Sequence, residues 1–287
     1  MTLLQILGLA VIQGAAELLP VSSSAHVIVA EKLMGLDPTA PEMTLLLVML
    51  HTGTMFAVIF YFWKAWKQSF FSSKKVFWDS VKFIFAATLV TGIVGLSLKF
   101  LIEKFFMRDV PHAEIEQLFG NMNLISAALA TVGLLIVYAG IRNRSSSEYG
   151  RALSLKESCY VGAMQGICLP FRGFSRSGAT ISTGLLLGIS RRKIEEFSFA
   201  LAVVLTPPVI VREVMRLLKD QQTSPSSVAD LANIFMPSLL GMAFSFVAGL
   251  VALKWLSSWL ESGRWALFGL YCLGASVIVF VLHQNGV

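Results

Sequence analysis

The chain has 287 residues, 55% of them hydrophobic and only 14% charged, where a soluble domain carries roughly a quarter charged residues. That balance excludes an ordinary soluble domain, and the lack of roughly ten-residue alternating segments excludes a transmembrane barrel. The formal net charge of +6 sits mostly between apolar runs, where topology places cations, so nucleic acid is not an expected partner. What remains is an all-α integral membrane protein whose backbone polar groups are satisfied within helices.

The first apolar region, 3–33, is about 30 residues long and broken near its middle by "QGAAELLPVSSSAH" at 13–26. It is too long for one crossing and too broken for two, so it predicts a re-entrant helical hairpin with a polar tip. No basic stretch precedes it, which argues against a cleaved leader. Gln13 and Glu17 are four apart and share a helix face. Pro20 ends that half-helix, and Ser22, Ser23 and Ser24 can cap a second one carrying His26.

Three spans follow, at approximately 43–63, 76–102 and 118–141. The loop at 64–75 holds Lys64, Lys67, Lys74 and Lys75 and no acid, so it is expected in the cytoplasm. The acid-rich loop at 103–117 is expected outside. A polar linker, "NRSSSEYGR", then leads to a second interrupted region at 158–190. The basic triplet Arg191-Arg192-Lys193 after it falls inside only if 158–190 turns back, which predicts a second re-entrant hairpin. Three more spans are expected at 196–211, 234–256 and 265–283, the first short and carrying Pro207-Pro208. Cys159, Cys168 and Cys272 have no metal-ligand spacing and read as packing residues.

The second hairpin echoes the first. Gln13-Gly14, Leu19-Pro20 and Ser22-Ser23-Ser24 recur as Gln165-Gly166, Leu169-Pro170 and Ser175-Arg176-Ser177. Each set opens a hairpin followed by three spans, in opposite orientation. The expected architecture is therefore a single membrane domain, six transmembrane helices plus two re-entrant hairpins. It forms an inverted-topology repeat of 1–144 and 158–287, with substrate bound where the hairpins meet.

The tips carry a phosphate-binding set. Arg172 and Arg176 offer cationic forks, Ser175, Ser177 and Thr180 offer hydroxyls, and two helix N-termini point inward. Glu17 and His26 on the opposing tip supply the carboxylate and imidazole of phosphoryl-transfer chemistry. Each residue alone has a plainer reading: His26 bonding a backbone carbonyl, an arginine paired with Glu17, serines capping helices. The combination favours an enzyme over its alternative, a transporter or flippase of a polyprenyl phosphate or related lipid anion.

"ELLPVSSSAH" and "GFSRSGATISTGLLLGISR" resemble the two signatures of the bacterial undecaprenyl-diphosphatases of the bacitracin-resistance type, and the resemblance runs along nearly the whole chain. It implies removal of the terminal phosphate of a polyprenyl diphosphate in the bacterial cytoplasmic membrane, at a site open to the outer face, with a divalent cation (Mg2+ or Ca2+) assisting. By position it makes His26 catalytic, Glu17 its orienting partner or a metal ligand, and Ser22, Ser23 and Ser24 contacts of the diphosphate. Ser175, Arg176, Ser177 and Thr180 grip phosphate, and the residues' own chemistry adds Gln13 and Arg172 to the expected substrate-binding set. The expected partners are the lipid substrate, the bilayer and, as a candidate, a second copy in a homodimer. Three positions depart from the pattern: Gln13 stands where many members have Glu, Ala25 replaces a glycine, and Arg172 takes the place of a proline. An amide is a poor ligand for a hard cation.

Overall fold

A computed structural model describes the chain except Leu18, 107–114, 143–149, 223–227, 261–263 and Val287; within the described helices it leaves aside the side chains of Pro41, Phe106, Glu116, Gln117, Glu213, 216–222, 228–234 and 255–260. Most of the acidic loop at 103–117 and the first part of the linker therefore lie outside the described residues. The described regular structure is helical: α1 (Leu3–Glu17), α2 (Ser23–Leu33), α3 (Pro41–Phe70), α4 (Lys74–Leu101), α5 (Met122–Arg142), α6 (Leu155–Cys168), α7 (Arg176–Leu186), α8 (Arg191–Gln222), α9 (Val228–Leu260) and α10 (Trp265–Gln284). A short π-helical turn, Ile102–Phe106, extends α4, and a 3-10 turn at Ile115–Leu118 precedes α5.

Six helices are long and apolar enough to cross a bilayer, and they are the expected ones: α3, α4, α5, α8, α9 and α10. The helix expected at 196–211 is longer than its apolar run, because α8 continues through Pro207 and Pro208. Each proline removes an amide donor to the carbonyl four residues back. The remaining four helices are short: α1 has 15 residues, α6 has 14, and α2 and α7 have 11 each. At 1.5 Å per residue they span about 16–22 Å, short of a hydrocarbon core of about 30 Å. They pack in consecutive pairs, α1 on α2 and α6 on α7.

Lipid-like side chains offer no hydrophobic reward for helix association in a membrane, so close contact falls to small residues and buried hydrogen bonds. α1 lies along α9 through Gly14, where a Cβ would stand 2.6 Å from the Ala248 Cβ. α6 lies along α4 through Gly166, where a Cβ would stand 2.8 Å from the Val94 Cβ. These glycines are the second members of the two Gln-Gly echoes. α5 and α10 exchange reciprocal bonds: Ser126 Oγ donates to the Ser276 carbonyl at 2.9 Å, and Ser276 Oγ to the Ser126 carbonyl at 2.8 Å. The tightest approach is α3 on α9 at Gly53, where a Cβ would fall 2.1 Å from both the Met242 carbonyl oxygen and Ser245 Oγ. Backbone cannot yield there as a flexible side chain would. Gly53→Ala is expected to destabilise the bundle by at least about 1–3 kcal/mol, the usual cost of overpacking. Thermal denaturation in detergent reads this out, and an unchanged midpoint would contradict the close approach.

Candidate active site

The two short helix pairs meet tip to tip. A Cβ on Gly178, in the first turn of α7, would stand 3.0 Å from the Pro20 carbonyl oxygen in the turn between α1 and α2. Beside this contact lies a cavity of about 190 Å³ bounded by both tips, α3 and α8. Its polar lining includes Glu17, Ser22, Ser23, Ser24, His51, Arg172, Ser175, Arg176 and Ser177. The lining from α3 and α8 is largely apolar and includes Met55, Val58, Phe199, Val203 and Val209.

Glu17, the last residue of α1, is the hub. Its Oε2 accepts from Ser23 Oγ at 2.6 Å and from Gln13 Nε2 at 2.7 Å, the bond that four-residue spacing predicts. Its Oε1 accepts from Arg176 Nη2 at 3.2 Å, joining the two tips. The Glu17 side chain is 11% exposed and that of Arg176 23%, so the pair is only lightly screened by water. Arg176 opens α7. Ser175 caps that helix, its hydroxyl accepting from Gly178 N at 3.2 Å, and Ser175, Arg176 and Ser177 at this helix start all border the cavity.

A residue passed over in the sequence completes the cluster. His51, within the first span, places Nε2 3.3 Å from Ser23 Oγ and 3.4 Å from Glu17 Oε2. Its Nδ1 donates to the Leu47 carbonyl at 2.7 Å, so in the neutral ring Nε2 is the acceptor. With the ring neutral, the Ser23 hydroxyl faces two acceptors, Glu17 and His51. The available signal was an ionisable residue in mid-membrane, which by itself marks a functional candidate.

The other expected residues divide. Arg172 reaches the cavity with its guanidinium carbon 4.1 Å from the centroid of the Phe119 ring. Gln13 is fully buried behind Glu17, close to Thr54 Oγ1 at 3.5 Å. Thr180 is fully buried behind Arg176, donating to the Arg176 carbonyl at 2.8 Å and lying 2.6 Å from Ser198 Oγ. Neither lines the cavity. His26 does not line it either. Its Nδ1 bonds the Ser22 carbonyl at 2.8 Å, and its Nε2 meets the Tyr271 hydroxyl at 2.8 Å. The imidazole beside Glu17 and Ser23 is therefore that of His51, and the carbonyl-bonding reading of His26 describes its position.

The donor set does not fit a divalent cation held by protein side chains. It offers one carboxylate, already facing a guanidinium, and among the described residues no group of three metal-ligating side chains of the His, Cys, Asp and Glu type forms. Gln13 turns its amide nitrogen, not its oxygen, toward Glu17. A hard cation wants several oxygen ligands and no competing cation.

The family model described as bacitracin resistance protein BacA matches residues 6–278. Undecaprenyl-diphosphatase 2 of Acinetobacter baylyi is 57% identical over 98% of this chain and 98% of its own length. Undecaprenyl-diphosphatase of Fusobacterium nucleatum subsp. nucleatum is 31% identical over 96% of this chain and 98% of its own. Undecaprenyl-diphosphatase 2 of Burkholderia ambifaria is 32% identical over 97% of each.

Proposed function

The chain belongs to the bacitracin resistance protein BacA family, and on that premise we propose that it hydrolyses undecaprenyl diphosphate to the monophosphate and phosphate. It is a multi-pass membrane hydrolase acting on a phosphoric anhydride, and it returns the lipid carrier to cell-wall synthesis. The observation that carries this reading is the Ser23 hydroxyl held 2.6 Å from Glu17, with Arg176 on the other carboxylate oxygen. A nucleophile, a base and a phosphate-binding fork share one cavity.

In the proposed reaction the terminal phosphate lies between Arg176 and the first turns of α2 and α7. Ser22, Ser24, Ser175 and Ser177 donate to its oxygens, and Arg172 faces the same cavity. Ser23 Oγ attacks the terminal phosphorus while its proton passes to Glu17. The bridging phosphorus–oxygen bond breaks, and its electron pair leaves with undecaprenyl monophosphate. Water then attacks the phosphoserine, giving one proton to His51, and Ser23 Oγ departs and regains its own from Glu17. The isoprenoid tail runs out along the apolar wall between α3 and α8 into lipid. The divalent cation (Mg2+ or Ca2+) implied by the resemblance would have to come with the diphosphate's own oxygens, and no step here uses it. Gln13 and Thr180 are proposed to act from behind, on Glu17 and Arg176.

The architecture proposed around this site is two re-entrant hairpins, α1–α2 and α6–α7, in an inverted repeat. Four observations support it. The hairpin helices are too short to cross; α1 packs on α9 as α6 packs on its counterpart α4; the Gln-Gly glycines make both contacts; and α5 and α10 exchange matching serine bonds. Lys64, Lys67, Lys74 and Lys75, at the facing ends of α3 and α4, and the Arg191-Arg192-Lys193 triplet support a cytoplasmic face, with the site open to the opposite, outer face.

Purified protein in detergent, given undecaprenyl diphosphate, is expected to release one phosphate per lipid and leave the monophosphate. Phosphate release at the enzyme-free rate would overturn the reading.

A further inference from the structure

Among the described residues, Ser22 is the one non-glycine with positive φ, at φ 67° and ψ 81°. A side chain crowds the backbone in this left-handed region, so such a residue persists only where its surroundings hold it. Ser22 does little to hold itself. Its side chain makes no capping bond to α2, and its hydroxyl is 3.4 Å from Ser24 Oγ, at the limit of a hydrogen bond. Its carbonyl, by contrast, accepts twice from His26: from the backbone amide at 3.4 Å and from Nδ1 at 2.8 Å. The imidazole makes the tighter bond.

That bond requires the proton on Nδ1, because a carbonyl can only accept, and the group at the other ring nitrogen suits this. The Tyr271 hydroxyl of α10 stands 2.8 Å from Nε2, with the two rings stacked at 5.7 Å and 13°. In the neutral ring with its proton on Nδ1, Nε2 is the acceptor and the Tyr271 hydroxyl the donor. Ser23 follows Ser22 directly, and its hydroxyl is the one aimed at Glu17 and His51. Any rotation of the turn swings that hydroxyl off the carboxylate.

We infer that His26 and Tyr271 are positioning residues, which lock the left-handed turn at Ser22 and so aim Ser23 at Glu17. The inference rests on the phosphatase reading above and departs from the catalytic role that the family resemblance gives His26. His26 acts through a carbonyl, not on phosphate.

The test exploits the strain. A glycine at position 22 adopts the left-handed conformation without steric cost, so the need for His26 should largely vanish in a Ser22→Gly background. His26→Ala is expected to lower kcat about 100-fold, the cost of a roughly 1 Å misplacement. It should change KM by less than about 3-fold, since uniform binding is untouched. Introduced into Ser22→Gly protein, the same change should cost less than about 5-fold, a non-additivity expected of residues acting on one turn. His26→Asn, whose amide N–H can reach the same carbonyl, should retain at least about a third of wild-type kcat, and Tyr271→Phe should lower kcat with KM unchanged. Equal costs of His26→Ala in both backgrounds, or an Asn variant as inactive as the Ala variant, would overturn the inference. Wild-type protein that releases no phosphate would instead sink the phosphatase reading, and thermal midpoints of each variant separate misfolding from either outcome.

Discussion

Ser23→Ala protein is expected to lose phosphate release by on the order of 10³-fold or more in kcat, with KM for undecaprenyl diphosphate nearly unchanged. The size of the loss follows from what Ser23 is asked to supply. Its hydroxyl is the nucleophile, already bonded to its base at 2.6 Å and flanked by a second acceptor at 3.3 Å. Alanine removes both the attacking oxygen and the proton in flight. The substitution should not unfold α2, because Ser22 holds the capping position and makes no side-chain cap there. Binding survives because the guanidinium of Arg176 and the remaining hydroxyls keep the phosphate. Steady-state kinetics in detergent check this. A kcat within tenfold of wild type would assign the attack to water, with Glu17 as its base.

Arg176→Ala should fail differently. The guanidinium is the cavity's direct partner of Glu17, at 3.2 Å, and is the proposed fork for the terminal phosphate. A hydrogen bond to a charged group contributes roughly 1.5–3 kcal/mol, so KM is expected to rise by about 10- to 100-fold. The value of kcat should fall as well, since charge developing on the phosphate loses its preorganised cation and the Glu17 side chain, 11% exposed, loses its counter-charge. Arg176→Lys should recover part of the binding. It restores a point charge but not a planar fork able to hold two oxygens. An Arg176→Ala protein with wild-type KM would remove Arg176 from the phosphate site.

How far the sequence foretold this can be judged from individual residues. The six spans were legible because a bilayer demands length and apolarity, and both are local properties of the chain. Glu17, Ser23 and Arg176 were legible because costly polar groups inside apolar runs stand out, and because the echo between the hairpins pointed to their tips. Gln13 bonds Glu17 as four-residue spacing requires. The two histidines show the limit. His26 and His51 make the same local bond, Nδ1 to the carbonyl four residues back. What distinguishes them is the neighbour of Nε2: Tyr271 for one, Ser23 and Glu17 for the other. That difference is set by how α2, α3 and α10 pack, which no short motif carries. The placement of Thr180 behind the cavity was hidden for a related reason. Its hydroxyl back-bonds within its own helix, to the Arg176 carbonyl, as threonine in helices commonly does. The continuation of α8 through Pro207-Pro208 was equally hidden, because tertiary packing overrides a local break there.

The central claim is that Ser23 from one hairpin and Arg176 from the other enclose a single phosphoryl group. An experimental structure of the protein with orthovanadate, whose trigonal-bipyramidal adducts imitate phosphoryl transfer, tests it most directly. Vanadium bonded to Ser23 Oγ, with its oxygens on Arg176, is the result predicted. Vanadium seated beside His26 and Tyr271, away from Glu17, would contradict it.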